Sequence, residues 1–253
     1  MKARQVVDSG VPFNALKWGC RPNPNHFSRY MLQQGAKQAD PWRVVERYDH
    51  LCTVADAQVL GSCTCCAFTQ VVEYHIHRAF GVAVQLDYDW LYKAVRQEIY
   101  GDEADEGAQL DEPYLIAKKH GMIPKSTVSH RTTTNAALLD ELDHGPVVVA
   151  YSVHDGWAPR NMAPNGSVDQ SLDLHLIPYT NGHALALVAT EMVKDVPVRV
   201  HRNSWGPLGP DDSGLVACSD AHAAKWTLDY PLSIRLDTDD WAKWRGWEEF
   251  VLA

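Results

Sequence analysis

The 253-residue chain reads as an α+β protein built as two lobes. Three observations predict this. Residues 63 to about 120 carry apolar side chains at helical spacing. The stretch after Gly145 carries short β-branched runs. Between them, near Gly145-Pro146, the composition changes. The length suffices for two lobes sharing a cleft. The predicted division is an N-terminal extension over 1–41, packed on the body, a mainly helical lobe over 42–145 and a mainly β lobe over 146–253.

Taken in order, residues 1–50 are rich in Pro, Asn, Gln and Arg and have weak periodicity. They are expected to wrap the body as irregular structure, with a short helix near Trp42–Tyr48. Gly61-Ser62 introduces a helix from Cys63 to about Ala79. Its apolar positions are Cys66, Ala67, Val71, Tyr74 and Ile76, and Gly81 stops it. A second helix is expected over Tyr88–Ile99. An acidic loop with Asp102, Glu103, Asp105 and Glu106 follows, read as a solvated face. Asp111 is placed to cap a third helix that runs through Lys119 and ends at His120-Gly121. Beyond Gly145-Pro146, residues 147–153 (VVVAYSV) read as a buried strand, and 184–189 and 196–201 as two more.

Composition narrows the function. The net charge of -9 argues against nucleic acid as a partner, because phosphate contacts need a basic surface. No apolar run reaches the length of a membrane span, so no membrane partner is expected. The first residues lack the apolar core of a signal peptide. The expectation is a cytoplasmic protein, or one released without a standard signal peptide. Six cysteines are present: Cys20, Cys52, Cys63, Cys65, Cys66 and Cys218. Three crowd into one segment, which is no disulfide framework. Cys63 and Cys66 have half of a zinc spacing, but no second pair follows, so neither metal nor cofactor is expected.

Three distant stretches carry chemistry together: Leu60-Gly61-Ser62-Cys63-Thr64, Asn181-Gly182-His183-Ala184 and Arg202-Asn203-Ser204-Trp205-Gly206. A thiol, an imidazole and an amide occur in that order. Thiolate is the nucleophilic form, and a helix N-terminus stabilises it. Gly61 and Ser62 would set Cys63 in a first helical turn, with its backbone N–H available to an oxyanion. Cys65 is the rival nucleophile. His183, at a strand start, is the expected base and acid. Surface or capping roles account for His75, His77, His120, His130, His144 and His154. Asn203 would orient the imidazole, and the Trp205 indole would shield that hydrogen bond from water. The C-terminal tryptophans Trp226, Trp241, Trp244 and Trp247 are expected to pack the lobe.

These stretches resemble the motifs of papain-like cysteine peptidases (the papain, cathepsin and bleomycin-hydrolase superfamily), with Leu-Gly-Ser-Cys-Thr most similar to its bacterial branch. Glu106-Gly107-Ala108 resembles the segment whose backbone pairs with substrate. Gly145-Pro146-Val147-Val148-Val149 resembles the strand that opens the barrel lobe. The resemblance implies a helical left lobe carrying Cys63, a β-barrel right lobe carrying His183 and Asn203, and a polypeptide or peptide-like substrate extended between them. It implies supporting roles for Ser62 and Trp205 and substrate binding at Gly107 and Ala108. It also implies an oxyanion-hole glutamine at position 57. That position is Ala57 here, and Gln58, one residue closer, is the candidate to take its place; without it one donor is missing. Leu60 stands where secreted relatives have a disulfide cysteine. Residues 1–41 do not resemble the family's inhibitory propeptide and are the candidate surface for a protein partner.

The implied activity is hydrolysis of peptide or isopeptide bonds through an acyl-enzyme. Two alternatives stay open. One is a catalytically impaired binding or structural module, motivated by Ala57. The other is a thiol amidase or acyltransferase acting on a cell-wall peptide or another non-protein amide.

Overall fold

The computed structural model describes residue 20 and residues 42–51, 56–153, 157, 166–167, 182–207, 213–235, 240 and 243–252. In chain order the elements are β1 (Val45–Glu46), α1 (Cys63–Phe80), α2 (Tyr88–Val95), α3 (Glu112–His120), β2 (Val128–Arg131), α4 (Asn135–Leu142), β3 (Val147–Ser152), β4 (Gly182–Val193), β5 (Val196–Arg202), β6 (Leu215–Ser219), α5 (Asp220–Trp226) and β7 (Leu232–Arg235). A π-helical turn, Arg96–Tyr100, extends α2, and a 3-10 turn, Gly246–Phe250, lies near the C-terminus. This is a helical part and an antiparallel sheet part, as the predicted fold class requires.

The seven-stranded sheet runs β2-β7-β3-β4-β5-β6, with β1 paired to the far half of β4. The long strand β4 is its spine. It pairs with β3 along Gly182–Leu187, with β1 at Ala189–Thr190 and with β5 on the other side, across a bulge between Leu187 and Ala189.

Alternation along β3 and β4 builds two cores. Val148, Ala150, Ala184, Ala186 and Val188 join the core that contains α1, α2 and α3. Val147, Val149, Tyr151, Leu185 and Leu187 join a second core with Leu138, Leu142, Trp157 and Ala223. The face toward α1 is rich in alanine, so the helix lies close to the sheet. Each large apolar side chain fully buried this way stabilises the fold by about 1.5–3 kcal/mol.

Helix α1 is buried from Cys63 through Ile76, the pattern of a central helix. Gly81 ends it in the left-handed region (φ 68°), donating its N–H to the His77 carbonyl at 2.8 Å. Asp87 caps α2, its side chain accepting from the Trp90 N–H at 2.8 Å.

Three local expectations are corrected. The helix expected near Trp42–Tyr48 is instead strand β1. The Thr190 hydroxyl and the Val188 carbonyl of β4 satisfy the Val45 and Arg47 N–H groups, so the segment gains a sheet ladder. The Asp111 side chain does not cap α3. It faces Arg131 at 3.3 Å, while the Glu112 carboxylate accepts from the Gln109 N–H at 2.7 Å. His75 is not a surface residue: it is buried against Tyr74 and Gly145. Of the four C-terminal tryptophans, Trp247 is buried in the main core and Trp244 packs against it. Trp226 lies under the Lys225 ammonium, and Trp241 lies outside the described residues.

Candidate active site

Cys63 is the first residue of α1, where backbone N–H groups have no partner within the helix. Ser62 precedes it as N-cap and accepts the Cys66 N–H through its carbonyl at 2.9 Å. The Cys63 sulfur reaches across to β4 and accepts the Ala184 N–H at 3.4 Å. This puts it beside His183, the second residue of that strand. Cys65 lies two residues on, turned to a different face of the helix. Burial pushes the Cys65 and Cys66 thiols well above the usual range, which keeps both protonated.

His183 Nε2 donates to Asn203 Oδ1 at 2.8 Å. The same oxygen accepts the Ser204 N–H at 2.7 Å, which fixes the amide orientation. The Trp205 indole stacks on the imidazole, with centroids 4.2 Å apart and planes at 22°. His183 is fully buried, and burial lowers its pKa to about 4 despite the opposing bond to Asn203. The residues after β5 therefore hold one edge and one face of the ring.

Sequence spacing left the neighbourhood of Ala57 and Gln58 open. In the structure Ala57 forms an antiparallel bridge with Trp205, and the Gln58 N–H donates to the Ser204 carbonyl at 2.8 Å. The Gln58 amide nitrogen donates to the Leu60 carbonyl at 3.0 Å, and its oxygen accepts the Ser204 hydroxyl. Gln58 is thus anchored between the nucleophile loop and the Asn203 segment. Behind it lies a buried polar network missed by sequence reasoning. The Asp56 carboxylate accepts from Gln70 at 2.6 Å and Gln85 at 2.8 Å, and the Asp56 carbonyl accepts the Gly206 N–H at 2.6 Å. Glu73, on the same helix as Gln70, accepts the Leu86 N–H at 2.7 Å, and burial raises its pKa to about 8.

On the helical side, Gly107 donates its N–H to the Tyr92 hydroxyl at 2.9 Å, and its carbonyl accepts Arg96 Nη1 at 3.0 Å. The acidic loop is partly exposed but anchored: Asp105 accepts the Gly61 N–H at 2.6 Å, two residues before Cys63. A cavity of about 400 Å³ opens beside this bond, lined by Leu60, Trp90, Lys93, Glu103 and Asp105 among others.

Between the two sides sits Cys20. It bridges Ala108 in parallel sense and Gly182 in antiparallel sense, donating its N–H to the Gly182 carbonyl at 3.1 Å. Gly182 has to be glycine here, since a Cβ would lie 2.2 Å from the Cys20 carbonyl oxygen. Cys20 is 4% exposed, and Cys63 is fully buried. No feature of local sequence marked Cys20 for this position.

The helix-borne thiol, the strand-borne imidazole and its amide partner lie in one region of the structure, and solved structures resemble the chain in fold. The chain has the papain-like fold. The Amb a 11 cysteine protease of ragweed pollen, in its proform, aligns over 84% of this chain and 76% of its own, at 14% identity and a TM-score of 0.60. Procathepsin L 3 of the Tenebrio molitor larval midgut aligns over 88% and 76%, at 17% identity and a TM-score of 0.58. Xylellain, a cysteine protease from Xylella fastidiosa, aligns over 87% and 92%, at 18% identity and a TM-score of 0.58. No protein-family model matches the sequence, and no curated protein matches it. The papain-like likeness is one of fold, carried at low identity. Among the described residues no helix is long and apolar enough to cross a membrane.

Proposed function

We propose that the protein is a thiol hydrolase that cleaves peptide or isopeptide bonds through an acyl-enzyme. The observation that carries this reading is the 2.8 Å bond from His183 to Asn203, made beside the strand position where the Cys63 sulfur rests on Ala184 N–H. Nε2 is committed to Asn203, so Nδ1 is the nitrogen that exchanges a proton with the thiol. Cys63 thiolate attacks the carbonyl carbon. The oxyanion is held by the Cys63 backbone N–H and the Gln58 amide. The His183 imidazolium protonates the leaving amine, and water, deprotonated by His183, releases the acyl group. Asn203 orients the imidazole without adding charge, and Trp205 excludes water from that bond. An extended substrate would pair its backbone with Ala108, at the seat that Cys20 takes in this structure, while Gly107, held by Tyr92 and Arg96, fixes that segment in place.

The test is hydrolysis of a fluorogenic peptide library by the wild type, Cys63→Ser and His183→Ala. Turnover by the wild type alone supports the reading. Equal turnover by all three refutes it. No turnover by a folded wild type across the library favours a non-catalytic module with this fold.

A further inference from the structure

Asp56 is 1% exposed and binds in two directions. Its Oδ2 accepts Gln70 Nε2 at 2.6 Å and its Oδ1 accepts Gln85 Nε2 at 2.8 Å. Its carbonyl accepts the Gly206 N–H at 2.6 Å. The side chain is thus pinned to the helical part, and the backbone to the segment that follows β5. Gln70 lies on α1 two turns after Cys63 and on the same face. Its Nε2 also reaches the Asn203 carbonyl at 3.4 Å. Helix α1 therefore carries the thiol in its first turn and the Asp56 clamp two turns later.

What Asp56 holds is the rest of the site. Residues 56–58 run antiparallel to 204–206. Ala57 bridges Trp205, the Gln58 N–H donates to the Ser204 carbonyl at 2.8 Å, and the Ser204 hydroxyl donates to the Gln58 side chain. Asn203, which bonds His183, directly precedes this ribbon, and Trp205, which stacks on the ring, lies within it. An apolar side chain would fill the place of Asp56 without the cost of burying a carboxyl group. The carboxylate instead supplies two directed acceptors, one for each glutamine. Burial raises the Asp56 pKa, against the two glutamine bonds and the nearby Arg202 charge.

We propose that Asp56 is a positioning residue: through Gln70 and Gln85 it ties the ribbon of 56–58 and 204–206 to α1, and so sets Gln58 and Asn203 relative to Cys63. Its effect on rate rests on the proposed function. Its effect on the bond between His183 and Asn203 does not.

The experiment compares the full chain with Asp56→Ala, Gln70→Glu and the double variant Gln70→Glu/Asp56→Asn. A catalytic group misplaced by about 1 Å costs about 10²-fold, so Asp56→Ala is expected to lose roughly 10- to 10²-fold in kcat, with a smaller change in KM. Gln70→Glu sets two carboxyl groups against each other and is expected to lose kcat as well. Adding Asp56→Asn returns a donor to that pair and should recover part of the loss. The second readout is hydrogen exchange of the His183 Nε2–H, followed by NMR with isotope-labelled histidine. It should quicken in Asp56→Ala while the backbone amides of α1 keep their protection. Unchanged kcat and unchanged His183 exchange in folded Asp56→Ala would overturn the proposal. If that variant does not fold, the Gln70→Glu pair decides: recovery of kcat in the double variant supports the proposal, and no loss in Gln70→Glu overturns it. If the folded wild type turns over no peptide, the hydrolase reading fails, and His183 exchange in the same variants decides the positioning role alone.

Discussion

Asn203 Oδ1 accepts two N–H groups, His183 Nε2 at 2.8 Å and its own neighbour Ser204 at 2.7 Å. The second bond holds the amide still so that the first can aim the ring. Asn203→Ala removes both. Misplacing a catalytic group by about 1 Å costs about 10²-fold. The variant should therefore lose on the order of 10²-fold in kcat, with a smaller change in KM, as read from steady-state peptide hydrolysis. An unchanged kcat would contradict the orienting role.

Gln58 stands beside the position where the papain-like motif carries its oxyanion glutamine. Its amide is anchored by Leu60 and Ser204. Loss of one oxyanion donor typically costs about 10²–10³ in kcat. Gln58→Ala is expected to fall in that range, and Ser204→Ala, which frees the amide to rotate, to fall short of it. Equal rates for Gln58→Ala and wild type would leave Cys63 N–H as the sole donor.

Acid should destabilise the protein through its buried histidines. Burial holds His183 at about 4 and His75 and His201 at about 3, below the ordinary 6.5. Between pH 6.5 and those values the unfolded chain binds protons that the folded chain refuses. Their contribution is thus complete above about pH 6.5 and is lost as the pH falls toward 3. For His183 the loss is about 3 kcal/mol once the pH is below 4. Glu73, raised to about 8, acts in the opposite direction: its contribution is full below 4.5 and lost as the pH rises through 8. The difference in urea-unfolding stability between pH 7 and pH 4 should shrink by a few kcal/mol in His183→Asn. The same pH slope in variant and wild type would contradict the assignment.

Gly182→Ala places a methyl group 2.2 Å from the Cys20 carbonyl oxygen and 2.8 Å from Leu228 Cδ1. The contact with Cys20 has to open. Overpacking of this kind costs about 1–3 kcal/mol. Cys20 and Cys63 should become easier to alkylate than in the wild type, by quantitative peptide mapping. Unchanged protection of both would contradict the seat of Cys20.

Asp105 and Glu103 line the cavity beside Gly61, while Arg96 is committed to Asp102 and to the Gly107 carbonyl. Substrates with basic or neutral side chains should be cleaved faster than acidic ones, and Glu103→Lys should narrow the gap. A positional-scanning library that favours acidic residues would contradict this.

Much of this was legible in the sequence, for physical reasons. Cys63–Phe80 showed its helix because Gly61-Ser62 and Gly81 mark both ends and the apolar spacing lies between them. The runs of β3 and β4 are buried on both faces, so they read as unbroken apolar strands. Strand β2, Val-Ser-His-Arg, is partly exposed and pairs with β7 from the other end of the chain, so no local pattern marks it. Strand β1 is two residues long and owes its form to β4. At the site, the order Cys, His, Asn was visible from flanking residues. The Asp56 network and the seat of Cys20 depend on groups far apart in sequence, and composition carries no trace of them.

On the proposed function, Cys63 is a nucleophile made reactive by His183. The most direct measurement is peptide mapping by mass spectrometry after brief, graded exposure of the reduced protein to an epoxide selective for thiolate–imidazolium pairs. Labelling is expected to concentrate on Cys63, well ahead of Cys65, Cys66 and Cys218, and to be lost in His183→Ala. Equal, slow labelling of all these thiols in the folded protein, unaffected by His183→Ala, would contradict it.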